Sequence, residues 1–182
     1  MIEQLIAVYG GWDASVVPKN RREGRSHAIQ SAMQAEREGA DAAGICAALL
    51  HDLGHAFAAP PPAGREADYD DHHELVAALW LRNVFPPEVS EPVLHHVAAK
   101  RYLVATRPGY FEHLEQDSVM SLAQQGGPMS AAEIAAFEQV PYTAQGVQLR
   151  VWDDNAKQRD IELPPIERYI PKLELCLRPE LK

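Results

Sequence analysis

The chain has 182 residues, which is enough for one domain with a sizeable core and short for two. Its formal net charge of −9 and the lack of a basic stripe exclude an ordinary nucleic-acid-binding surface. The sequence has neither an apolar run of membrane-spanning length nor, in MIEQLIAVYGGWD, the features of a signal peptide. We therefore expect a cytoplasmic protein with no membrane or nucleic-acid partner, and reduced thiols at Cys46 and Cys176.

Helical periodicity runs through nearly the whole chain and predicts an all-α fold. Nine helices are predicted, at 2–9, 25–38, 41–56, 71–84, 90–105, 115–125, 130–139, 145–158 and 164–177. Their expected ends are N-caps at Asp41 and Ser90, a capping box of Ser130 with Glu133, and C-terminal glycines at Gly39 and Gly126. The longest predicted loop is 57–69.

The stretch LLHDLGHAF (49–57) ends an apolar helix with two imidazoles and a carboxylate. A buried carboxylate costs free energy unless it gains a partner, and a metal ion would partner both Asp52 and the neighbouring His51. Seven of the eight histidines lie between residues 27 and 96, and WDDNAK (152–157) adds carboxylates on a later helix. Side chains from several helices that converge in this way can build a di-metal site in a bundle.

Taken singly, these groups have ordinary interpretations as caps or solvated helix faces, but the ordered set favours a metal site. The residues alone leave three choices open: His72 or His73, His95 or His96, and Asp153 or Asp154.

Five stretches carry a resemblance to a known family: ALLHDLGH (48–55), DDHHELVAALWL (70–81), PPEVSEPVLHHVAAKRYL (86–103), SVMSLAQQGGPMS (118–130) and LRVWDDNAK (149–157). Through them the chain resembles the HD-domain superfamily and, within it, the mixed-valent di-iron oxygenases that cleave phosphonates (the PhnZ type). Inositol oxygenase is a more distant likeness. The resemblance implies a single HD-type helical bundle over 1–182 with its metal-binding core at about 25–172. HVAAKRYL and QGGPMS favour the oxygenases over the phosphohydrolases of the same superfamily.

The resemblance implies two iron ions, mixed-valent Fe(II)/Fe(III), with Asp52 bridging them. The implied metal ligands, which are also the implied catalytic residues, are His27, His51, Asp52, His73, His96 and Asp153. His73 is preferred to His72 because it is followed by Glu, as in the family. His96 is preferred to His95, and Asp153 to Asp154, because each has a lysine four residues later, Lys100 and Lys157, which would share its helix face.

The implied substrates are a small 1-hydroxyalkylphosphonate and O2, which would give a carboxylic acid and phosphate. The phosphonate would be held by His55, Lys100, Ser118, Ser121 and Arg150, because cations and hydroxyls suit a tetrahedral dianion. Gln125, followed by GGP, is interpreted as a helix end. Two other functions stay open: a metal-dependent phosphohydrolase of a small phosphate ester or nucleotide, and a non-catalytic metal or metabolite sensor. We expect a monomer or a weak homodimer.

One segment departs from the family pattern. Enzymes of this type that act on aminoalkyl phosphonates carry a Tyr and a Glu ten and seven positions before the first ligand His. Here those positions hold Val17 and Asn20, and Arg21, Arg22 and Arg25 follow. The departure predicts a substrate without a cationic amine, because a buried ammonium would lose its carboxylate partner.

Overall fold

The computed structural model describes residues 2–10, 19–58, 62–64, 69–158 and 161–182, with side chains for all of these except 10 and 19–23. Val17 lies outside the described residues, and so do the side chains of Asn20, Arg21 and Arg22. Within the described residues the fold is all-α and contains no strand, as the periodicity predicts.

The helices of the described chain, in order, are α1 (Ile2–Gly10), α2 (Lys19–Arg37), α3 (Ala42–Leu50), α4 (His73–Leu81), α5 (Pro87–Thr106), α6 (Gln116–Gln124), α7 (Ala131–Phe137), α8 (Thr143–Asp154) and α9 (Ile170–Cys176). Short 3-10 turns at Leu53–Ala56 and Ile166–Tyr169 follow α3 and precede α9. Among the described helices, none combines the length and the apolar composition needed to cross a bilayer.

Helix α3 is the centre of the bundle. Its residues from Ile45 to Leu50 are all buried, and it packs against α2, α5, α8 and α9. Because the helix is apolar on every side, it can only be stable when neighbouring helices surround it. The Asp41 side chain caps its first turn by accepting a hydrogen bond from the Gly44 N–H (2.8 Å), as predicted.

Several predicted boundaries are wrong, among them the starts of α2, at Lys19 rather than 25, and of α9, at Ile170 rather than 164. Ser90 is not an N-cap, because α5 begins one turn earlier with Pro87 at a helix start, where its missing N–H costs nothing. The helix predicted at 41–56 ends at Leu50, and α8 ends at Asp154 rather than 158. The remaining predicted capping residues are confirmed: Ser130 and Glu133 form a capping box, and Gly39 and Gly126 have positive φ.

Candidate metal centre and anion site

The HD dipeptide lies at the turn that terminates α3. Asp52 has φ −94° and ψ 5°, a conformation outside regular helix that is common among active-site residues. The chain leaves the helix axis here, so the side chains of His51 and Asp52 both point into the centre of the bundle. His51 is fully buried, whereas Asp52 retains some exposure.

Among the described residues, three groups of three side chains could each hold a metal ion, and two of them surround this turn; the third, His55, Asp71 and His73, shares His73 with the second. The first group is His27 from α2, His51, and Asp153 from α8; the second is Asp52, His73 from the start of α4, and His96 from α5. In each group the candidate ligand atoms lie within 4.8 Å of one another. The structure thus brings together all six residues that the family resemblance selects.

Asp52 lies between the two groups. Its Oδ1 is 3.4 Å from His51 Nε2, 3.6 Å from His73 Nε2 and 3.9 Å from His96 Nε2, and its Oδ2 is 3.8 Å from His27 Nε2. The carboxylate therefore lies close to histidines of both groups. This is the arrangement that a carboxylate bridging two ions needs.

The alternatives within each pair of neighbours point elsewhere. The side chain of His72 is 64% exposed and pairs with Asp70; its left-handed backbone (φ 49°) turns the chain so that only His73 faces inward. His95 contacts the carbonyl oxygen of Pro141. Asp154 accepts hydrogen bonds from Tyr110 and Arg150.

The four inward imidazoles share one hydrogen-bonding pattern. Each Nδ1 lies within hydrogen-bond distance of an oxygen: His27 to Ala156 O (3.1 Å), His51 to Ala48 O (2.8 Å), His96 to Val93 O (2.7 Å) and His73 to Asp71 Oδ1 (2.9 Å). Since these oxygens accept, the network assigns a ring proton to each Nδ1 and leaves a lone pair on Nε2 of His51, His73 and His96, whereas His27 Nε2 lies 2.9 Å from Asp153 Oδ1. A hydrogen-bonded Nδ1 of this kind is the usual support of a metal-binding histidine.

The unpaired Nε2 atoms show whether a metal ion fits between these residues. The Nε2 atoms of His73 and His96 are 3.2 Å apart, and His51 Nε2 is buried without a hydrogen-bond partner among the described residues. Two neutral rings that face each other with lone pairs repel, and a buried acceptor without a donor costs free energy. A metal ion bound to these nitrogens removes both costs, so the donor set fits a metal centre.

The charges of the site agree with this assignment. Burial alone would raise the pKa of Asp52, but the imidazoles of His51, His55 and His27 outweigh burial and hold that pKa well below its usual range. Burial lowers the pKa of His51 and, with His73 beside it, lowers that of His96 well below its usual value. Burial also acts to lower the pKa of His27, but its hydrogen bond to Asp153 outweighs burial and raises that pKa. An ionised Asp52 and neutral His51 and His96 are the protonation states that bind metal.

Four of the five predicted phosphonate residues form a second cluster beside Asp153. Lys100 Nζ donates to Ser121 Oγ (2.6 Å), and Arg150 donates to Ser118 Oγ (3.2 Å) while pairing with Asp153 Oδ2 (2.7 Å). Burial and the nearby Arg150 lower the pKa of Lys100 to about 8. Two buried cations and two hydroxyls therefore lie directly against one metal group.

The fifth predicted residue, His55, lies on the other side of the centre. Its Nε2 is 3.9 Å from Asp52 Oδ1, and its ring stacks on His73 with centroids 3.9 Å apart. Its Nδ1 is 2.5 Å from Asp71 Oδ2.

Sequence reasoning missed three residues of this site. Lys157 was used only as a marker of helix spacing, yet α8 ends before it and its Nζ donates to Ser118 Oγ (3.1 Å). Tyr110 contacts Arg150 and Asp154 from a segment with no motif. Asp71 was visible in DDHHE, where an acid two residues before a ligand histidine is a signal of a supporting hydrogen bond.

Comparison with known proteins places the chain in a family, although no family model matches it. It is 40% identical over 158 residues to hydroxymethylphosphonate dioxygenase from Gimesia maris, covering 83% of this chain and 76% of that protein. It is 39% identical over 148 residues to [1-hydroxy-2-(trimethylamino)ethyl]phosphonate dioxygenase (glycine-betaine-forming) from Leisingera caerulea, covering 81% of this chain and 76% of the relative.

The chain belongs to the phosphonate dioxygenases. An alignment of this length includes most of the bundle and exceeds what one shared motif could produce. Both relatives are named as dioxygenases. This phosphonate dioxygenase is therefore similar to enzymes rather than to sensors.

Proposed function

We propose that the chain is a di-iron dioxygenase that cleaves the carbon–phosphorus bond of a 1-hydroxyalkylphosphonate. The reaction is R–CH(OH)–PO3(2−) + O2 → R–COOH + HPO4(2−), in which the C–H and C–P bonds break and O2 is the oxidant. The observation that carries the proposal is Asp52, whose carboxylate lies between two groups of candidate ligands and within 3.9 Å of histidines from both, in a chain similar to phosphonate dioxygenases.

The two irons would be held by His27, His51 and Asp153 on one side and by Asp52, His73 and His96 on the other, with Asp52 serving both. When bound, the irons supply Lewis acidity and the electron transfer to O2 that amino-acid side chains lack, and the family resemblance favours a mixed-valent Fe(II)/Fe(III) pair. The hydrogen bonds to Nδ1 fix the four imidazoles, so the ligand geometry is set before metal binds.

The phosphonate group would be held by Lys100, Arg150, Ser118 and Ser121, with Lys157 as a further cation. In the cluster, these hydroxyls accept hydrogen bonds from the cations, and phosphonate oxygens are stronger acceptors that would take over those donors. Because Arg150 also pairs with Asp153, the anion would be held close to the first metal group. His55 would donate to the substrate from the opposite side.

The names of the two relatives describe two very different substrate tails. One acts on a substrate that carries a trimethylammonium group, and the other on hydroxymethylphosphonate. Asn20 stands where the resemblance places a Glu in the aminophosphonate enzymes, which supports a substrate without a cationic amine.

The proposal is tested by metal analysis and by an assay with and without O2. Protein from iron-replete cells should hold about two irons per chain. Asp52→Ala should lose both, because a bridging carboxylate serves each ion, whereas Asp117→Ala, at an exposed position in α6, should keep both.

Phosphate should be released from hydroxymethylphosphonate only when O2 is present. Equal release under anaerobic conditions would instead identify a phosphohydrolase. At most one tightly bound ion, or full occupancy in Asp52→Ala, would refute the di-iron site.

A further inference from the structure

Asp71, at the end of the loop before α4, uses both of its carboxylate oxygens on two histidines of the site. Its Oδ1 accepts from His73 Nδ1 (2.9 Å) and from the His73 backbone N–H (3.2 Å). Its Oδ2 accepts from His55 Nδ1 (2.5 Å). The imidazoles of His55 and His73 stack on each other at 3.9 Å with an interplanar angle of 21°.

This contact distinguishes His73 from the other inward histidines. His27, His51 and His96 each donate from Nδ1 to a backbone carbonyl, which no substitution can remove. His73 depends instead on a side chain, which is also an anion. Losing such a support typically weakens metal binding about 10- to 100-fold.

The same carboxylate orients His55. With Nδ1–H donating to Asp71, the remaining nitrogen, Nε2, is directed toward Asp52 Oδ1 at 3.9 Å. Asp71 thereby fixes one proposed metal ligand and one proposed substrate donor as a single stacked unit.

We propose that Asp71 is a positioning residue that sets the orientation of His73 toward the metal and of His55 toward the phosphonate. An asparagine at this position can serve only one of the two rings with its amide oxygen. Its NH2 group then meets the Nδ1 of the other ring. At His73 this forces the ring proton onto Nε2, the nitrogen that would bind metal, and at His55 it removes the acceptor that orients the ring. This inference rests on the proposed function for its His55 half and on the metal centre alone for its His73 half.

The chain contains a closely matched control. Asp70, the preceding residue, makes the equivalent contacts to His72: its Oδ1 accepts from the His72 backbone N–H (3.1 Å) and its Oδ2 lies 3.2 Å from His72 Nδ1. His72 lies outside both metal groups. Asp70→Asn therefore changes the same charge and the same type of contact one residue away.

The test compares Asp71→Asn with Asp70→Asn in three measurements: the thermal melt of the metal-free protein, an anaerobic Co(II) titration followed by absorbance, and the apparent KM for hydroxymethylphosphonate. For Asp71→Asn we expect a Tm close to that of Asp70→Asn and a raised KM. One of the two Co(II) ions should bind about 10- to 100-fold more weakly. Asp70→Asn should bind two equivalents as the wild type does.

Asp71→Asn binding two equivalents as tightly as Asp70→Asn would overturn the inference. Equal weakening in both variants would overturn it too, because the loop charge and not this carboxylate would then be responsible. If the wild-type enzyme released no phosphate, the proposed function would fail, but the Co(II) titration would still decide the role of Asp71.

Discussion

Replacing Gly54 with alanine should remove metal from one half of the centre. Gly54 lies in the 3-10 turn after the HD dipeptide, against the first residue of α4. A Cβ built on Gly54 would lie 1.9 Å from the carbonyl oxygen of His73, 2.6 Å from its carbonyl carbon and 2.9 Å from its Cα. These are backbone atoms, so no side-chain rotation can relieve the overlap.

The displacement can be gauged from these distances. A carbon–carbon contact of about 3.5 Å or more is optimal. The Cβ–C separation of 2.6 Å therefore requires His73 or Gly54 to move by about 1 Å, and the Cβ–O separation of 1.9 Å requires at least as much. Metal–ligand distances tolerate only about 0.2 Å. Overpacking of this kind also costs about 1–3 kcal/mol, and each kcal/mol lowers Tm by roughly 2–4 °C in a chain of this size.

The assay is iron content together with the Tm of the metal-free protein. We expect Gly54→Ala to retain about one iron, in the group of His27, His51 and Asp153, and to melt several degrees lower. Gly44→Ala is the control, because a Cβ there meets side-chain atoms at 3.3 Å or more within a helix. Full iron occupancy with an unchanged Tm in Gly54→Ala would refute the reasoning.

Three further predictions concern the substrate. Lys100→Ala should raise the apparent KM for phosphonate about tenfold to a hundredfold and leave iron content intact. Lys172→Ala, which loses an ion pair with Glu36, is the control, and an unchanged KM in Lys100→Ala would contradict the assignment. The pKa of Lys100 is lowered to about 8, so its positive charge and its contribution to affinity are present below pH 8 and lost above it. The KM of the wild type should therefore rise above pH 8. The Lys100→Ala variant should lack this rise. In a panel of 1-hydroxyalkylphosphonates that differ only in the tail, amine-free members should have the higher kcat/KM, and a preference for 2-amino-1-hydroxyethylphosphonate would show that the interpretation of Asn20 is wrong.

The helices could be predicted from the sequence because hydrophobic periodicity reports which face each one buries. The candidate ligands could be selected because the family resemblance marks their positions. The step from His96 to Lys100 predicted correctly that both are buried on one face of α5. The same reasoning for Asp153 used the wrong feature: Lys157 lies beyond the end of α8, and the residue that pairs with Asp153 is Arg150, three positions earlier.

What could not be predicted depends on contacts between segments far apart in the chain. The carbonyl oxygen that accepts from His27 belongs to Ala156, 129 residues later. The role of Gly54 depends on how closely the turn approaches α4, which leaves no trace in local composition. Asp71 makes a local contact to His73, but its contact to His55, 16 residues earlier, can be seen only in the folded chain.

Helices α5 and α8 each carry a candidate metal ligand and a phosphonate cation about one turn apart, His96 with Lys100 and Asp153 with Arg150. They also pack so closely that a Cβ on Gly146 would lie 2.6 Å from the Cβ of His95. A mutation that shifts either helix would therefore disturb iron and phosphonate recognition together. In a directed-evolution experiment that selects for a new substrate tail, accepted substitutions should accumulate outside these two helices, while the head-group chemistry stays constant.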